Sequence, residues 1–415
     1  MADNGVVAGG WLADQVSLGV LAASVPRDVV DDAVAAAGRQ ARRRDGKLPP
    51  HVMVYFAMAM ALFADADYEE VAARLAGTLG SWGCWDGGWA VPTSGGITQA
   101  RQRLGWEPLA DLFARVAVPV AGPGTAGAFL GRWRLMAVDG SEWDVPDTPA
   151  NAAAFGRKRG GNQAEAAFPK ARVMAISECG SHATVAAAVG GRGTGERPLA
   201  RQLFPVLEEG WLLLADRNFY GWADWQAAAA TGADLLWRVI SSVRLPVLAE
   251  LADGSYLSVL IDRAADVRGP AREAVIAAAR DGGDPGPHAS LVRVIEYQVT
   301  GRGPGGEGER VTLITTITDP VQASAADLAR AYHQRWEHET ANGQLKTALR
   351  GPGRLLRSKS PDMIRQEIYG YLLTHYAISA LICAAATEAG LDPDRVRFTR
   401  TLRIIRRHAT AAFPP

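Results

Sequence analysis

Residues 332–346 read YHQRWEHETANGQLK. In this run Tyr332, Arg335, Glu339 and Lys346 stand at offsets 0, 3, 7 and 14. At roughly 100° per helical residue, these four positions fall within about 60° of one another. A phenol, two cations and one carboxylate therefore share a narrow helix face, with Asn342 at its border. Glu337 lies well off that face, which makes Glu339 the better candidate for chemistry. A carboxylate so placed can hold a hard divalent cation while the neighbouring cations hold phosphates, the combination that phosphodiester chemistry needs. A solvated charged face with i,i+4 pairs would satisfy the same spacing, so the decision rests on what else the chain supplies.

The helix carrying this face is expected to begin at Ser324, which with Asp327 makes an N-cap pattern of the capping-box type. It is expected to run to about Leu349 and to stop at Gly351-Pro352-Gly353. A second long helix is expected over Pro361 to Ala386, and a basic amphipathic one near Thr399 to His408.

Two apolar runs upstream end in aspartate. Arg134 to Val138 leads into Asp139, followed by Gly140-Ser141. Trp211 to Ala215 leads into Asp216, followed by Arg217-Asn218-Phe219. A carboxylate at a strand end can join a metal site without burying unpaired charge. An aspartate after a strand also often caps a turn, so neither decides alone. Glu142, Asp144 and Asp147 are nearby alternatives, expected to be carried outward by a turn beyond the strand. Further strands are expected at Arg172 to Ser177, Ala183 to Val189 and Leu235 to Ile240, and helices at Pro198 to Leu207 and Trp222 to Ala230. This order indicates a mixed α/β sheet.

Residues 241–310 read as a β-rich insertion. Leu245 to Leu251 and Tyr256 to Ile261 flank Asp253-Gly254, a hairpin signal. Leu291 to Val299 and Arg310 to Thr318 flank the glycine-rich segment Gly301 to Gly308, which lacks a Gly-Lys-Ser/Thr ending and is read as a hairpin tip. Residues 1–125 read as helical, with Val52 to Ala64 a core helix, Ile97 to Val118 a helix pair broken near Gly105 and Pro108, and Trp82, Trp85, Trp89 and Trp106 a small aromatic core.

Lys plus Arg and Asp plus Glu both number 44 in the 415 residues, so no global charge points to a polyanion partner and local clusters must be sought. Arg42, Arg43 and Arg44 lie in one basic run with Arg39 and Lys47. Arg157, Lys158 and Arg159 follow the first aspartate motif and are candidate phosphate contacts. Gln99, Gln102 and Arg103 share a helix with Arg101 and could read base edges. In the last helix Arg400, Arg403 and Arg407 share one face, and Phe398, Leu402 and Ile405 another. Cys84, Cys179 and Cys383 are far apart and read as buried thiols in a reducing compartment, and no histidine spacing suggests metal ligation. His333 and His338 are expected on the helix surface, and Trp336 against the sheet. Without a signal-peptide pattern at the N-terminus, a cytoplasmic location is expected.

Taken together, these motifs resemble the insertion-sequence-four family of bacterial DDE transposases. The residues that carry the resemblance are Val138-Asp139-Gly140-Ser141, Leu214-Ala215-Asp216-Arg217-Asn218-Phe219, and the Y-R-E-K signature Tyr332, Arg335, Glu339 and Lys346. The 123-residue interval from Asp216 to Glu339 leaves room for that family's β-strand insertion, and Gln99 to Gly105 resembles its helical N-terminal domain. The resemblance implies an α/β, ribonuclease-H-like mixed-sheet core (residues 126–240 and 311–350) with a β-rich insertion (241–310), a helical N-terminal DNA-binding domain (1–125) and a C-terminal helical region (351–415). It implies that Asp139, Asp216 and Glu339 hold two Mg2+ ions, with Mn2+ as a substitute, for in-line displacement at phosphorus. Arg335, Lys346 and Tyr332 would bind phosphates near the scissile bond. The expected partners are double-stranded DNA, as terminal inverted repeats and target, and a second copy of the chain in the DNA complex; no membrane is expected. Competing readings are a metal-dependent nuclease without strand transfer, a domesticated DNA-binding protein that has lost catalysis, and a scaffold whose motif arose by chance.

Overall fold

The computed structural model describes residues 23–41, 48–81, 91–157, 166–265, 267–299 and 308–408. Trp82, Cys84, Trp85, Trp89, Arg42, Arg43, Arg44, Lys47, Lys158, Arg159 and residues 301–307 fall outside them.

Five helices precede the sheet among the described residues: α1 (Arg27–Ala36), α2 (Pro50–Leu62), α3 (Tyr68–Ser81), α4 (Ser94–Leu104) and α5 (Glu107–Val116). Pro50 opens α2, where its missing N–H costs nothing. Every residue from Val52 to Leu62 is buried, so α2 has no polar face, as a central core helix should not. Thr93 caps α4 by accepting from Gly96 N, and Gly105 ends it at φ 74°, a conformation glycine adopts without a Cβ clash. Trp106 stacks on Tyr369 with ring centroids 6.1 Å apart, so this tryptophan does join an aromatic core.

The sheet follows: β1 (Phe129–Leu130), β2 (Trp133–Asp144), helix α6 (Pro149–Phe155), β3 (Lys170–Glu178), β4 (Thr184–Gly190), α7 (Glu196–Arg201), β5 (Trp211–Ala215), α8 (Trp222–Ala229), β6 (Asp234–Val239), β7 (Ala249–Glu250), β8 (Tyr256–Ile261), α9 (Gly269–Arg280), β9 (Ala289–Val299) and β10 (Glu309–Thr315). The strand order is β4-β3-β2-β5-β6-β10-β9-β8-β7, with β1 paired to β2. β2, β3 and β4 form an antiparallel meander, while β5 and β6 run parallel to β2. This is a ribonuclease-H-like core. β5 is buried along its whole length, which explains its continuous apolar sequence. Leu199, Trp225 and Trp237 pack beneath one face, with Met136 and Val138. Leu135, Ala137 and Leu214 face the other way.

The structure adds two features to the β-rich insertion. Its strands extend the core sheet: β10 pairs antiparallel with β6 and continues the sheet outward through β9, β8 and β7. It also contains α9, which sequence reading missed because Ala279 is its buried residue and no apolar stripe marks it. The hairpin at Asp253-Gly254 is present, but β7 shrinks to two paired residues.

The expected catalytic helix is not continuous. It is broken into α10 (Ala325–His333), α11 (Trp336–Gly343) and a π-helical segment, Gln344–Leu349. Between α10 and α11 the backbone tightens to i,i−3 bonds, Arg335 N to Tyr332 O at 3.1 Å and His338 N to Arg335 O at 3.0 Å. A tight turn followed by π-helix is a pattern concentrated at functional sites. Ser324 caps α10 as expected, its Oγ accepting from Asp327 N at 3.1 Å. The chain ends in α12 (Pro361–Glu388), a 3-10 turn (Pro393–Arg395) and α13 (Phe398–His408). In α13 Phe398, Leu402 and Ile405 are buried while Arg400, Arg403 and Arg407 are exposed, as the pattern predicts.

By length and composition α12 could cross a membrane, but 78% of its apolar window is buried in the fold. Its burial comes from α2. A Cβ on Gly370 would sit 2.6 Å from Ala57 O, so glycine alone permits the two backbones to approach. Thr374 Oγ1 donates to Met58 O at 3.1 Å across the same crossing. The helices of residues 1–125 and those of 351–415 therefore share one core, which also takes in Trp143 of β2.

Candidate active site

Parallel pairing of β2 with β5 aligns Val138 with Ala215. The next residues, Asp139 and Asp216, thus emerge side by side. Asp216 follows the last residue of β5, as expected. Asp139 does not end its strand: β2 continues to Asp144, paired with β3 through Asp144↔Lys170. The strand outlasts its apolar run because β3 supplies hydrogen bonds beyond the point where β5 stops. The pleat, not a turn, then disposes of the alternatives. Glu142 and Asp144 point to the face opposite Asp139 and pair with Arg172 (3.2 Å) and Lys170 (2.7 Å). Asp147 pairs with Arg157.

On the Asp139 face, Leu328, Ala331 and Tyr332 of α10 pack against Leu135, Ala137 and Leu214. This contact delivers the turn that carries Arg335. The Arg335 guanidinium lies between two carboxylates, 3.8 Å from Asp139 Oδ2 and 3.6 Å from Glu339 Oε1. It also approaches the rings of Tyr332 (5.9 Å) and Trp336 (5.3 Å). Burial opposes its charge, but Tyr332, Asp216, Asp139 and Glu339 together outweigh burial and raise its pKa. Burial pushes the Asp139 carboxyl up; the Gly140 amide and Arg335 pull it down, and Asp216 pushes it up again. Glu339 is likewise raised by burial, with Arg335 opposing and Asp139 and Asp216 adding repulsion. The three carboxylates thus feel one another, and Arg335 offsets only part of their charge. Lys346, in the π-helical segment, is lowered by burial and by Arg350, and raised by Glu142 and Asp139. Tyr332 is buried and strongly raised by burial, with Arg238 among the charges near it.

The structure brings together Asp139, Asp216, Tyr332, Arg335, Glu339 and Lys346. It does not bring Arg157 to them: Arg157 pairs with Asp147 and donates to the Ala166 (3.1 Å) and Ala167 (2.6 Å) carbonyls. Gln99, Gln102 and Arg103 are exposed on α4, whereas Arg101 is buried and donates to Gln366 (2.8 Å) and Ser358 (3.0 Å). Two neighbours of the signature depart from expectation. His338 is not on the surface: it is buried, and burial with Arg335 nearby pushes it down to about 3. Trp336, expected against the sheet, is 42% exposed, with the Arg335 guanidinium over its ring. Cys179 and Cys383 are buried thiols as read. Arg238, beside Tyr332 on β6, escaped sequence reading because its strand carries no motif.

A ribonuclease-H-like sheet presenting acidic residues with basic neighbours is the arrangement of metal-dependent nucleases and of DDE transposases, and the family match assigns this chain to the transposases. Residues 133–376, which include all three carboxylates, match the family described as the transposase DDE domain, and residues 15–114 match the insertion element 4 transposase N-terminal domain. The chain belongs to the IS4 family of DDE transposases. It is 26% identical over 372 residues, 88% of this chain and 77% of the relative, to Escherichia coli (strain K12) transposase InsG for insertion sequence element IS4. It is 28% identical over 127 residues, 30% of this chain and 42% of the relative, to the putative transposase InsZ of the same organism. Among solved structures, a piggyBac transposase synaptic complex with hairpin DNA aligns with 97% of this chain and 82% of its own at 12% identity and a TM-score of 0.49.

Family membership implies a divalent metal ion. Asp139, Asp216 and Glu339 fit one: they offer only oxygen ligands, which suits a hard cation, and their mutual repulsion is what a cation relieves.

Proposed function

We propose that Asp139, Asp216 and Glu339 form the catalytic centre of a cut-and-paste transposase that cleaves transposon ends and joins them to target DNA. The observation that carries this reading is the register of β2 and β5, which sets Asp139 beside Asp216, with Arg335 linking Asp139 to Glu339. Two Mg2+ ions, or Mn2+ in their place, would supply activation of water or a DNA 3′-hydroxyl and stabilisation of the leaving oxygen. Arg335 would exchange its carboxylate contacts for phosphate when DNA and metal enter, and Lys346 would hold a second phosphate. Tyr332 stays protonated and can donate to a phosphate oxygen. Lys158 and Arg159 remain candidate phosphate contacts, and Arg42, Arg43 and Arg44 candidate end contacts. The helical N-terminal region would bind the terminal inverted repeats, with the chain acting as a homodimer that pairs two ends on the bacterial nucleoid.

Joining separates this reading from that of a nuclease of the same fold. On a duplex carrying the inverted repeats that flank the gene, Mg2+-dependent cleavage should be followed by covalent attachment of the cut 3′ ends to target DNA. Cleavage without joined product would favour the nuclease.

Gln99, Gln102 and Arg103 project from the exposed side of α4. If they read bases, Arg103→Ala should weaken binding to the cognate end by about 10- to 100-fold, the worth of one good base contact. Binding to a scrambled end should change little. Equal losses on both would reduce Arg103 to a backbone contact.

A further inference from the structure

His182, Glu337 and Asp394 converge at the back of the catalytic helix, on the side away from Glu339. His182 lies in the turn between β3 and β4 with φ 58°, Glu337 in α11, and Asp394 in the 3-10 turn before α13. One ligand atom from each lies within 4.8 Å of both others. The carboxylates of Glu337 and Asp394 both address the same imidazole nitrogen, His182 Nε2, which Asp394 Oδ1 approaches to 3.3 Å. A single N–H directs one linear hydrogen bond, whereas here two anionic groups converge on it.

The other side of the ring is held. The Gln344 amide meets His182 Nδ1 at 3.0 Å, and His375 Nε2 meets the same amide at 3.1 Å. A metal-binding imidazole donates its other N–H to an acceptor, and the Gln344 carboxamide serves His182 Nδ1 in that way when its oxygen turns to this ring and its NH2 to His375 Nε2. Two further buried rings, His338 and His375, lie within electrostatic reach of His182, so three of the seven histidines in the chain gather here. Nδ1 of His375 lacks a hydrogen-bonding partner among the described residues, and His338 turns to the Asp139 backbone.

We propose that His182, Glu337 and Asp394 form a second metal site, distinct from the carboxylate triad, that binds a zinc-class divalent cation. One imidazole nitrogen and two carboxylate oxygens suit Zn2+, with water completing a four-coordinate shell. Magnesium prefers an all-oxygen shell, so ligand chemistry separates the two sites. The bound ion ties together three segments distant in sequence: the β3–β4 turn, the catalytic helix and the turn leading to the basic helix α13. It braces the helix that carries Glu339 from the face opposite the chemistry. The proposal stands apart from the reading of the triad.

Full-length protein stripped with a chelator and then exposed to Zn2+ in excess Mg2+ tests it, with bound zinc measured by elemental analysis after gel filtration. Wild type should retain about one Zn2+ per chain and show a higher Tm with zinc than without. Glu339→Gln should keep both properties; Asp394→Ala and His182→Gln should lose both. Asp394 is 49% exposed, so its variant is the one expected to keep its fold without zinc, checked by its zinc-free Tm. Co2+ in place of Zn2+ should give visible d–d absorption that Asp394→Ala lacks. The site is refuted if wild type retains no zinc, if Asp394→Ala retains as much as wild type, or if zinc is lost with Glu339→Gln.

Discussion

Glu339→Gln should abolish cleavage of transposon ends while end binding persists. Glutamine has nearly the same shape, and the Glu339 side chain is 45% exposed, so the fold has little to lose. What goes is one anionic ligand of a hard cation, in a site whose transition state carries added charge on phosphate oxygens. An effect of several kcal/mol on that charge corresponds to about a 10³-fold loss of rate or more. Arg335 remains beside Asp139, so the variant should still bind DNA and melt near the wild-type temperature. The measurements are nicking of a labelled end in Mg2+, a gel-shift titration and a thermal melt. A variant that nicks ends at the wild-type rate would sink the assignment. Asp139→Asn and Asp216→Asn should behave alike.

The largest expected effect on stability belongs to Glu178, which no motif singles out. It sits fully buried at the end of β3 and pairs with Arg134 of β2. Its Oε2 accepts from Val120 N (3.0 Å), Ala121 N (2.9 Å) and Ser181 Oγ (2.5 Å). One carboxylate thus fastens the connector from the N-terminal helices to the strand that carries Asp139. Glu178→Ala would leave the Val120 and Ala121 amides and the Ser181 hydroxyl without this acceptor, and the partly buried Arg134 guanidinium with the Ala121 carbonyl but no counter-charge. Removing one partner of such a pair costs about 3–5 kcal/mol, against a total stability of about 5–15 kcal/mol for a typical domain. Thermal or urea denaturation should therefore show a large destabilisation, with Glu178→Gln less severe because it retains an acceptor. An unchanged midpoint in Glu178→Ala would mean that the connector is held by other contacts.

The two substitutions differ in how visible their targets are to a reader of the sequence. Glu339 was legible because helical periodicity is local: offsets of 3, 7 and 14 residues place side chains on one face whatever surrounds the helix. Glu178 was not, because its partners lie on other segments and nothing in the local stretch Ile176-Ser177-Glu178-Cys179 marks the carboxylate as paired. The same distinction governs the errors. The apolar run stops at Asp139 and predicts the end of β2 there, while hydrogen bonding from β3 carries the strand to Asp144. Periodicity predicts a surface position for His338 because it gives a direction and not what fills it. Arg101 was grouped with Arg103 by composition, yet Gln366 and Ser358 lie inside the fold to receive it.

The sequence by itself determined the mixed α/β core and the N-cap at Ser324, and it supplied the candidate carboxylates and the periodicity that favours Glu339 over Glu337. Each follows from local periodicity, local hydrogen bonding or residue chemistry. Only the tertiary structure decided that the insertion extends the core sheet, that the catalytic helix breaks at Arg335, and that Arg335 bridges Asp139 and Glu339. It alone brought Glu337 to His182 and Asp394. These are relations between segments far apart in the chain, set by strand register and by packing of buried faces, and a one-dimensional pattern encodes neither.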